Sequence, residues 1–414
     1  MKIELAICSL GVAFSSVIAG DYEFKAGYPT DATTTAAKND SDFQRAVTAY
    51  RFWYPTVSCE GIFNGGRSVG IKDNENILIM SCGPRQVAFT PNSDTPYGAG
   101  AIDLTSGPYV IEVPPGSFIG LVDDHHQGWV LDMGIPGPAG PRGGKHLILP
   151  PAYKGEVPSG YFVGRSLSNK VLVALRALPQ NGDVKGALNA LRQVKIYPLS
   201  TAANPKLTTF VDVSDKDIDS TCLKWEDNLQ FWQKLHAIIQ AEPLVEKFLP
   251  MYGLLSSLGI EKGKPFAPDA RMRDTLERAA KVGRDQCLSP RFASNRPDRM
   301  AWSDRKWEWA GLVPNSAQFE TPGGLDLEAR DRWFAQAIVT SPAIFNRKPG
   351  AGSLYCLGAR DKAGAFLDGG KTYKLTVPLP VPAKLFWSVT AYDAQLDRKC
   401  KLIRTRLPCV PCSN

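Results

Sequence analysis

Four histidines occur in the 414-residue chain, and two of them follow two acids in Asp123-Asp124-His125-His126. A carboxylate and an imidazole on one face can act as a general base with its orienting group, or as two ligands of a divalent metal. Side chains alternate along a strand, so Asp123 would share a face with His125, or Asp124 with His126. Asp94, and His146 after Gly143-Gly144, are candidates to complete the set. The expected catalytic group is His125, His126 and Asp124; a divalent metal would fall to Asp123, His125 and His146. The competing reading is that the Asp–His pairs hold a β bend together by hydrogen bonds and do no chemistry.

Asn92-Ser93-Asp94-Thr95-Pro96-Tyr97 is turn chemistry at every position, because Asn and Asp accept backbone hydrogen bonds and Pro fixes φ. The same density of donors and acceptors beside an aromatic suits a small polar or sugar-like ligand, which makes Asn92, Asp94, Thr95 and Tyr97 candidate binding residues. Gly66-Arg-Ser-Val-Gly70 has the letters of a nucleophile elbow but lacks the strand before it and the helix after it. His236 lies in line with Trp225, Leu229 and Trp232 at helical spacing and reads as a core or boundary residue. Trp302, Trp307 and Trp309 beside Arg305 and Lys306 could stack a sugar or a cation, with packing between domains as the simpler use. Gly134, Gly137, Gly140 and Gly143, with prolines between, predict a stiff loop near the site.

These groups must be positioned by elements of two kinds. Ser41-Asp-Phe-Gln44 fits a capping box, and the pattern after it predicts a helix that Pro55 interrupts. From Val87 to Ser166 the runs Tyr109–Val113, Phe118–Val122, Trp129–Met133, His146–Leu149 and Tyr161–Gly164 alternate between Gly and Pro clusters, which predicts a β-sandwich. Helical periodicity follows over Val184–Val194, Trp225–Ala241, Leu244–Leu258, Ala270–Val282 and Leu325–Ile338. Strand signals return at Tyr355–Ala359, Tyr373–Val377 and Leu385–Tyr392. The fold class is thus multidomain α+β, with boundaries at 21–180 (β, with an N-terminal helix), 181–340 (helical) and 341–396 (the start of a second β domain).

Composition narrows the function classes. Hydrophobic residues at 43% and charged residues at 21% are those of a globular chain, and the Gly and Pro contents show no chain-wide repeat. The net charge of +7 is concentrated in residues 397–414, which hold five basic residues against one Asp, so no basic stripe points to nucleic acid. No apolar run after the N-terminus is long enough to span a membrane. Residues 1–20 have the layout of a signal peptide, which predicts export to the periplasm or beyond. Cys59, Cys82, Cys222, Cys287 and Cys356 are widely spaced and fit buried thiols or one or two disulfides equally; Cys409-Val-Pro-Cys412 lacks the strand and helix of a redox motif. The basic tail 397–414 reads poorly as structure, and a shift of two bases would give a better helix start, so a frameshift or early stop near Asp397–Arg406 is expected.

Four motifs carry a resemblance: Phe89-Thr-Pro-Asn-Ser-Asp-Thr-Pro-Tyr97, Gly120-Leu-Val-Asp-Asp-His-His-Gln127, Gly143-Gly-Lys-His-Leu-Ile-Leu-Pro-Pro151 and Leu385-Phe-Trp-Ser-Val-Thr-Ala-Tyr-Asp393. In this order they resemble the bacterial proteins that pair domain of unknown function 1254 with domain of unknown function 1214, over about residues 21–393. The resemblance implies an immunoglobulin-like β-sandwich first, a helical domain in the middle and a C-terminal jelly roll, of which only the opening part is present here. It also implies that Trp387, Tyr392 and Asp393 line a groove with the first sandwich. It supports the fold and does not supply an activity.

The expected function is that of an exported envelope or periplasmic protein with an inter-domain cleft for a small polar or carbohydrate-like ligand. Metal-assisted hydrolysis is the catalytic version of this reading. The rivals are a structural or interaction protein of the envelope, and an inactive truncated copy. Nothing in the sequence names a redox cofactor, a nucleic-acid partner, a membrane insertion or an oligomeric state.

Overall fold

A computed structural model describes residues 22–87, 90–219, 227–313, 316–347, 353–377, 379–383, 386–395 and 400. The fold is mixed α+β, with two main sheets and seven α-helices among those residues. No helix among them is long and apolar enough to cross a membrane.

The ten strands of the main sheets are β1 (Asn76–Met80), β2 (Tyr97–Asp103), β3 (Tyr109–Val113), β4 (Phe118–Asp124), β5 (Trp129–Gly134), β6 (Gly144–Leu149), β7 (Phe162–Arg165), β8 (Lys170–Ala177), β9 (Lys195–Pro198) and β10 (Thr209–Asp212). Six form one sheet in the order β10-β1-β2-β8-β4-β5, and four form the other in the order β7-β6-β3-β9. Pairing is antiparallel apart from the edge pairs β10–β1 and β7–β6, which are parallel. The five runs expected as strands between Tyr109 and Gly164 all lie on strands of these sheets. Alternation sends Ile77, Ile79, Ile102, Val122, Met133, Val171, Val173 and Leu175 to the inner face of the larger sheet, where they meet Ile111, Ile148 and Ile196 of the smaller one.

The helices are α1 (Asp31–Arg67), α2 (Val184–Leu191), α3 (Leu229–Ala241), α4 (Leu249–Ser257), α5 (Ala270–Ala293), α6 (Leu327–Phe334) and α7 (Pro342–Phe345). α2 packs Ala187 and Leu191 into the core of the sheets. The others share a second core with Tyr50, Trp53, Phe231, Trp232, Leu276 and Trp333 at its centre. α1, expected with the sandwich, is therefore the spine of the helical half. It also touches the larger sheet, where Cys59 and Phe63 cover the outward-facing Ala101 and Leu172.

α1 departs from the sequence expectation at both ends. It begins after Thr30, whose Oγ1 accepts from Thr33 N at 3.2 Å, and runs for 37 residues straight through Pro55. Proline offers no N–H, so the Arg51 carbonyl four residues earlier loses its helical donor. Arg330 of α6 replaces it: Nη1 donates to Arg51 O at 3.3 Å and Nη2 to Phe52 O at 2.7 Å. The guanidinium lies over Phe52 and Phe334, and burial lowers its pKa to about 10. Arg330→Met is expected to cost about 1–3 kcal/mol by leaving the Arg51 carbonyl without a donor. In a Pro55→Ala background, which restores the helical donor, the cost should fall; an equal cost in both backgrounds, measured by urea unfolding, would refute the link.

Residues after Ser341 differ most from expectation. Cys356–Leu357 pairs with Glu308–Trp309, while Tyr373–Val377 forms no strand among the described residues; the expected Leu385–Tyr392 strand is likewise absent over 386–392, and Leu385 itself lies outside the described residues. A strand is stable only with a row of hydrogen-bonded neighbours, and among the described residues these segments show no more than an isolated bridge at Tyr392. The tail 401–414, the N-terminal residues 1–21 and Cys222 lie outside the described residues. Cys59, Cys82, Cys287 and Cys356 form no disulfide.

Candidate functional site

β4 ends at Asp124, so the two histidines sit on the turn to β5 and not on the strand, and the expected alternation does not apply to them. Asp124 builds this turn: its Oδ1 accepts from His126 N and Gly128 N, both at 2.8 Å, and its backbone pairs with Gly128 and Gln127. A Cβ on Gly128 would lie 2.8 Å from Asp124 Oδ2, so a side chain there would press on the carboxylate that builds the turn. Burial raises the Asp124 pKa to about 6 against the pull of those two N–H groups. All four residues are buried, with exposures of 0% for Asp123, 2% for Asp124 and His125, and 7% for His126.

The adjacent histidines meet opposite surroundings. His125 Nδ1 is 3.0 Å from Glu242 Oε1 at the end of α3, and its Nε2 is 3.4 Å from Glu60 Oε2 of α1. Glu242 also accepts from the backbone N–H of Asn169 and Lys170 at 2.5 and 3.1 Å, so one carboxylate ties the helices to the loop before β8. Although burial opposes it, the bond to Glu242 and the nearby carboxylate of Glu60 raise the His125 pKa. His126 is packed against Trp53 and Phe248; its Nδ1 is 3.0 Å from Thr56 Oγ1, and its buried Nε2 has no hydrogen-bond partner. Burial, then the charges of His125, Lys247 and Arg330, depress its pKa to about 3.

Asp123 points the other way, toward the segment before α7. Its Oδ2 accepts from Thr340 N at 2.6 Å, Ser341 Oγ donates to Asp132 Oδ2 at 2.9 Å, and Gln127 bridges Pro55 O and Val339 N at 2.8 and 2.7 Å. Burial pushes the Asp123 carboxyl well above the usual range and Asp132 to about 6. This network joins sheet, α1 and the Val339–Ser341 segment.

His146 does not join it. It lies on β6 in the smaller sheet, with Nδ1 3.2 Å from Ile111 O and its ring against Phe162. No three His, Cys, Asp or Glu side chains among the described residues converge as a metal site, so the metal set Asp123, His125 and His146 is not assembled: His125 is taken by Glu60 and Glu242, and Asp123 by Thr340. The Gly-Pro loop starts where Gly134 faces Ile119, at the far end of β4 from His125, about 15–20 Å along the strand.

The other expected residues do come together. In the 90–97 loop Asn92 Oδ1 accepts from Asp94 N at 2.6 Å, which makes the turn and leaves Asp94 exposed. Asn92 N donates to the Tyr97 hydroxyl at 3.0 Å. Across the gap, Asn92 Nδ2 donates to Ser388 Oγ at 3.2 Å, and the Tyr392 hydroxyl donates to Pro91 O at 3.1 Å. Trp387 is half-buried on the same segment. Burial raises the pKa of both Tyr97 and Tyr392, so each is a neutral hydroxyl at neutral pH.

At the base of this contact stands Arg176 of β8, which pairs with Tyr97 on β2. Its Nε donates to Thr95 Oγ1 at 2.7 Å, and its guanidinium lies 5.2 Å from the Tyr97 ring and 5.9 Å from the Phe386 ring. Sequence patterning passed over this residue, as it did Glu60, Glu242 and Thr56. A visible signal existed: Lys170-Val-Leu-Val-Ala-Leu-Arg-Ala177 alternates as a strand, with the arginine at a position facing away from the Val171–Val173–Leu175 row.

The remaining motifs are structural. Gly66-Arg-Ser-Val-Gly70 ends α1, with Ser68 as its cap and Gly70 at φ +91°. His236 Nε2 donates to Lys264 O at 2.8 Å and stacks on Phe266. Trp302 and Trp309 stack, with Arg305 over the first and Arg347 over the second. Two open hollows, of about 400 and 320 Å³, are lined along Pro114–Phe118 and Arg142–Lys145; the second takes in Gly143 of the Gly-Pro loop, and neither includes a candidate catalytic, ligand-binding or metal residue.

Comparison with known proteins agrees with the four motifs. Residues 79–198 match the family described as protein of unknown function DUF1254, and residues 352–407 the family described as protein of unknown function DUF1214. No curated protein matches the sequence. Among solved structures, the chain is similar to the VPA0106 protein from Vibrio parahaemolyticus at 18% identity and a TM-score of 0.49; the likeness covers 71% of this chain and 66% of that one, just under two thirds. With the 92–97 loop and Arg176 inside the first match and Trp387 and Tyr392 inside the second, the chain pairs domain of unknown function 1254 with domain of unknown function 1214, and hydrogen bonds join the two regions at these segments.

Proposed function

We propose that this chain is an exported protein that binds a small polar ligand in the cleft between the 90–97 loop and the 386–392 segment. The observation that carries this reading is the meeting of the Pro91–Asn92 turn with Ser388 and Tyr392, beside Tyr97 and Thr95 of the same loop, a set of neutral donors and acceptors next to aromatic rings. Within the same reading, Asp123, Asp124, His125 and His126 form a buried joint between sheet and helices; their partners are backbone and side chains of this chain, and hydrolysis is not assigned to them. The finer layout, an immunoglobulin-like sandwich first and jelly-roll strands last, belongs to this proposal too.

Calorimetric titration of the purified protein with monosaccharides, sugar acids and amino acids tests the cleft. Binding that weakens at least about tenfold in a Tyr97→Phe, Tyr392→Phe double variant of unchanged melting temperature is the expected result, since each hydroxyl supplies a hydrogen bond to a polar ligand. A ligand that binds both proteins equally would place the site elsewhere. Sequencing the N-terminus of the protein purified from whole cells of its host tests export: a mature chain starting near Asp21 supports it, and retention of Met1 opposes it.

A further inference from the structure

The cleft reading leaves one group unexplained, the guanidinium of Arg176. Its Nη2 is buried and has no hydrogen-bond partner, and the titratable groups that act on it, Tyr97, Tyr355 and Cys82, include no carboxylate. An arginine carries five N–H donors and stays charged in a protein. A buried charge without a counter-charge is costly, and its cost is relieved by an anion that completes the fork. We infer that Arg176 is the anchor for a carboxylate, and that the ligand of the cleft is a small hydroxylated monocarboxylic acid of the sugar-acid class. This inference rests on the cleft reading and names its ligand.

The surroundings select the class. Tyr97 and Phe386 lie within cation–π distance of the guanidinium, Nε is held by Thr95 Oγ1, and the Tyr355 hydroxyl approaches its rim as a further neutral hydrogen-bonding group. Aromatic neighbours of this kind engage the faces of a guanidinium and leave its rim of N–H groups for a ligand. Two parallel N–H donors on one edge match the two oxygens of a planar carboxylate. On the same face of the sheet, the neighbouring positions of the two paired strands are Ala174 and Ala99, small residues that are only partly buried. A ligand body extending from the carboxylate would meet Asn92, Thr95, Tyr97 and Tyr392, whose hydroxyl and amide groups suit hydroxyls and not further charge. A phosphate, with two charges and tetrahedral oxygens, uses one planar fork less well.

The test uses the unaltered protein and matched compounds: glucuronate or galacturonate, the methyl ester of each, the neutral parent sugar, and the sugar 6-phosphate. The expected result is that one acid binds, and that its ester and parent sugar bind at least about tenfold more weakly, the loss of a charge-assisted pair. Arg176→Met should abolish the preference for acid over ester, and Arg176→Lys should keep part of it, because an ammonium supplies charge without the fork. Acid and ester binding alike would overturn the carboxylate anchor while leaving the cleft reading intact, as would tighter binding of the phosphate. Failure of all the compounds to bind would count against both. Because the acid and ester comparison needs no substitution, it decides the matter even if Arg176→Met does not fold.

Discussion

His125→Ala is expected to lower the unfolding free energy by about 3–5 kcal/mol, because it leaves the carboxylates of Glu242 and Glu60 facing each other across a buried space without their cation. Glu242, 4% exposed, loses the partner that offsets its burial; Glu60 keeps Arg67 at 2.7 Å. Glu60→Gln should therefore cost clearly less than Glu242→Gln, and equal costs would contradict the assignment of Glu242 as the main partner. The pH dependence has two limbs. The His125 pKa is raised, so its contribution is complete below the ordinary imidazole value near 6.5 and is lost as pH rises through the higher folded value. Burial alone would raise Glu60, but the bond and charge of His125, with Arg67 and Lys170, take it to about 2. Its contribution is present above the ordinary value of 4.5 and fades as pH falls toward 2. Urea unfolding of wild type and His125→Ala across pH 4–9 should show the largest difference near pH 5–6; a difference independent of pH would refute the ion pair.

His126 works in the opposite sense one residue later. Held neutral by burial with a pKa of about 3, it binds fewer protons in the folded chain than in the unfolded one throughout the window from about 6.5 down to 3. Stability is thus lost on acidification, at about 1.4 kcal/mol per pH unit, or about 3 kcal/mol between pH 6.5 and 4. His126→Gln retains a partner for Thr56 Oγ1 and removes the titration. The variant is expected to be less stable than wild type at pH 7 and to close the gap by about 3 kcal/mol at pH 4. Equal gaps at the two pH values would show that His126 is protonated in the folded state. Asp123, Asp124 and Asp132, whose pKa values are raised by burial, act against this trend, since a folded state that holds protons more tightly gains as pH falls. They are common to both proteins and cancel in the difference.

These opposite titrations could not have been read from Asp-Asp-His-His. The motif marked a place where chemistry was concentrated, and the structure turned it into a joint because the strand stops at Asp124 and the acids that face His125 arrive from α1 and from the end of α3. The 92–97 segment went the other way. Its turn chemistry was legible, with Asn92 bonding two residues on, and its meeting with Ser388 and Tyr392 was anticipated only through family resemblance. Pro55 reads locally as a helix breaker, and it was overruled by Arg330, which lies 275 positions further along the chain.

What the sequence determined by itself is whatever depends on neighbours along the chain. Alternation placed the strands from Tyr109 to Gly164, helical period placed α2 to α6, and the Asn92 turn followed from side-chain reach. Tertiary structure alone decided the partners of the charged groups: Glu242 for His125 across 117 positions, Thr95 for Arg176 across 81, and Thr340 for Asp123 across 217. A buried charge must be matched in space, and the residue that matches it can come from any part of the chain, so no period or spacing encodes it.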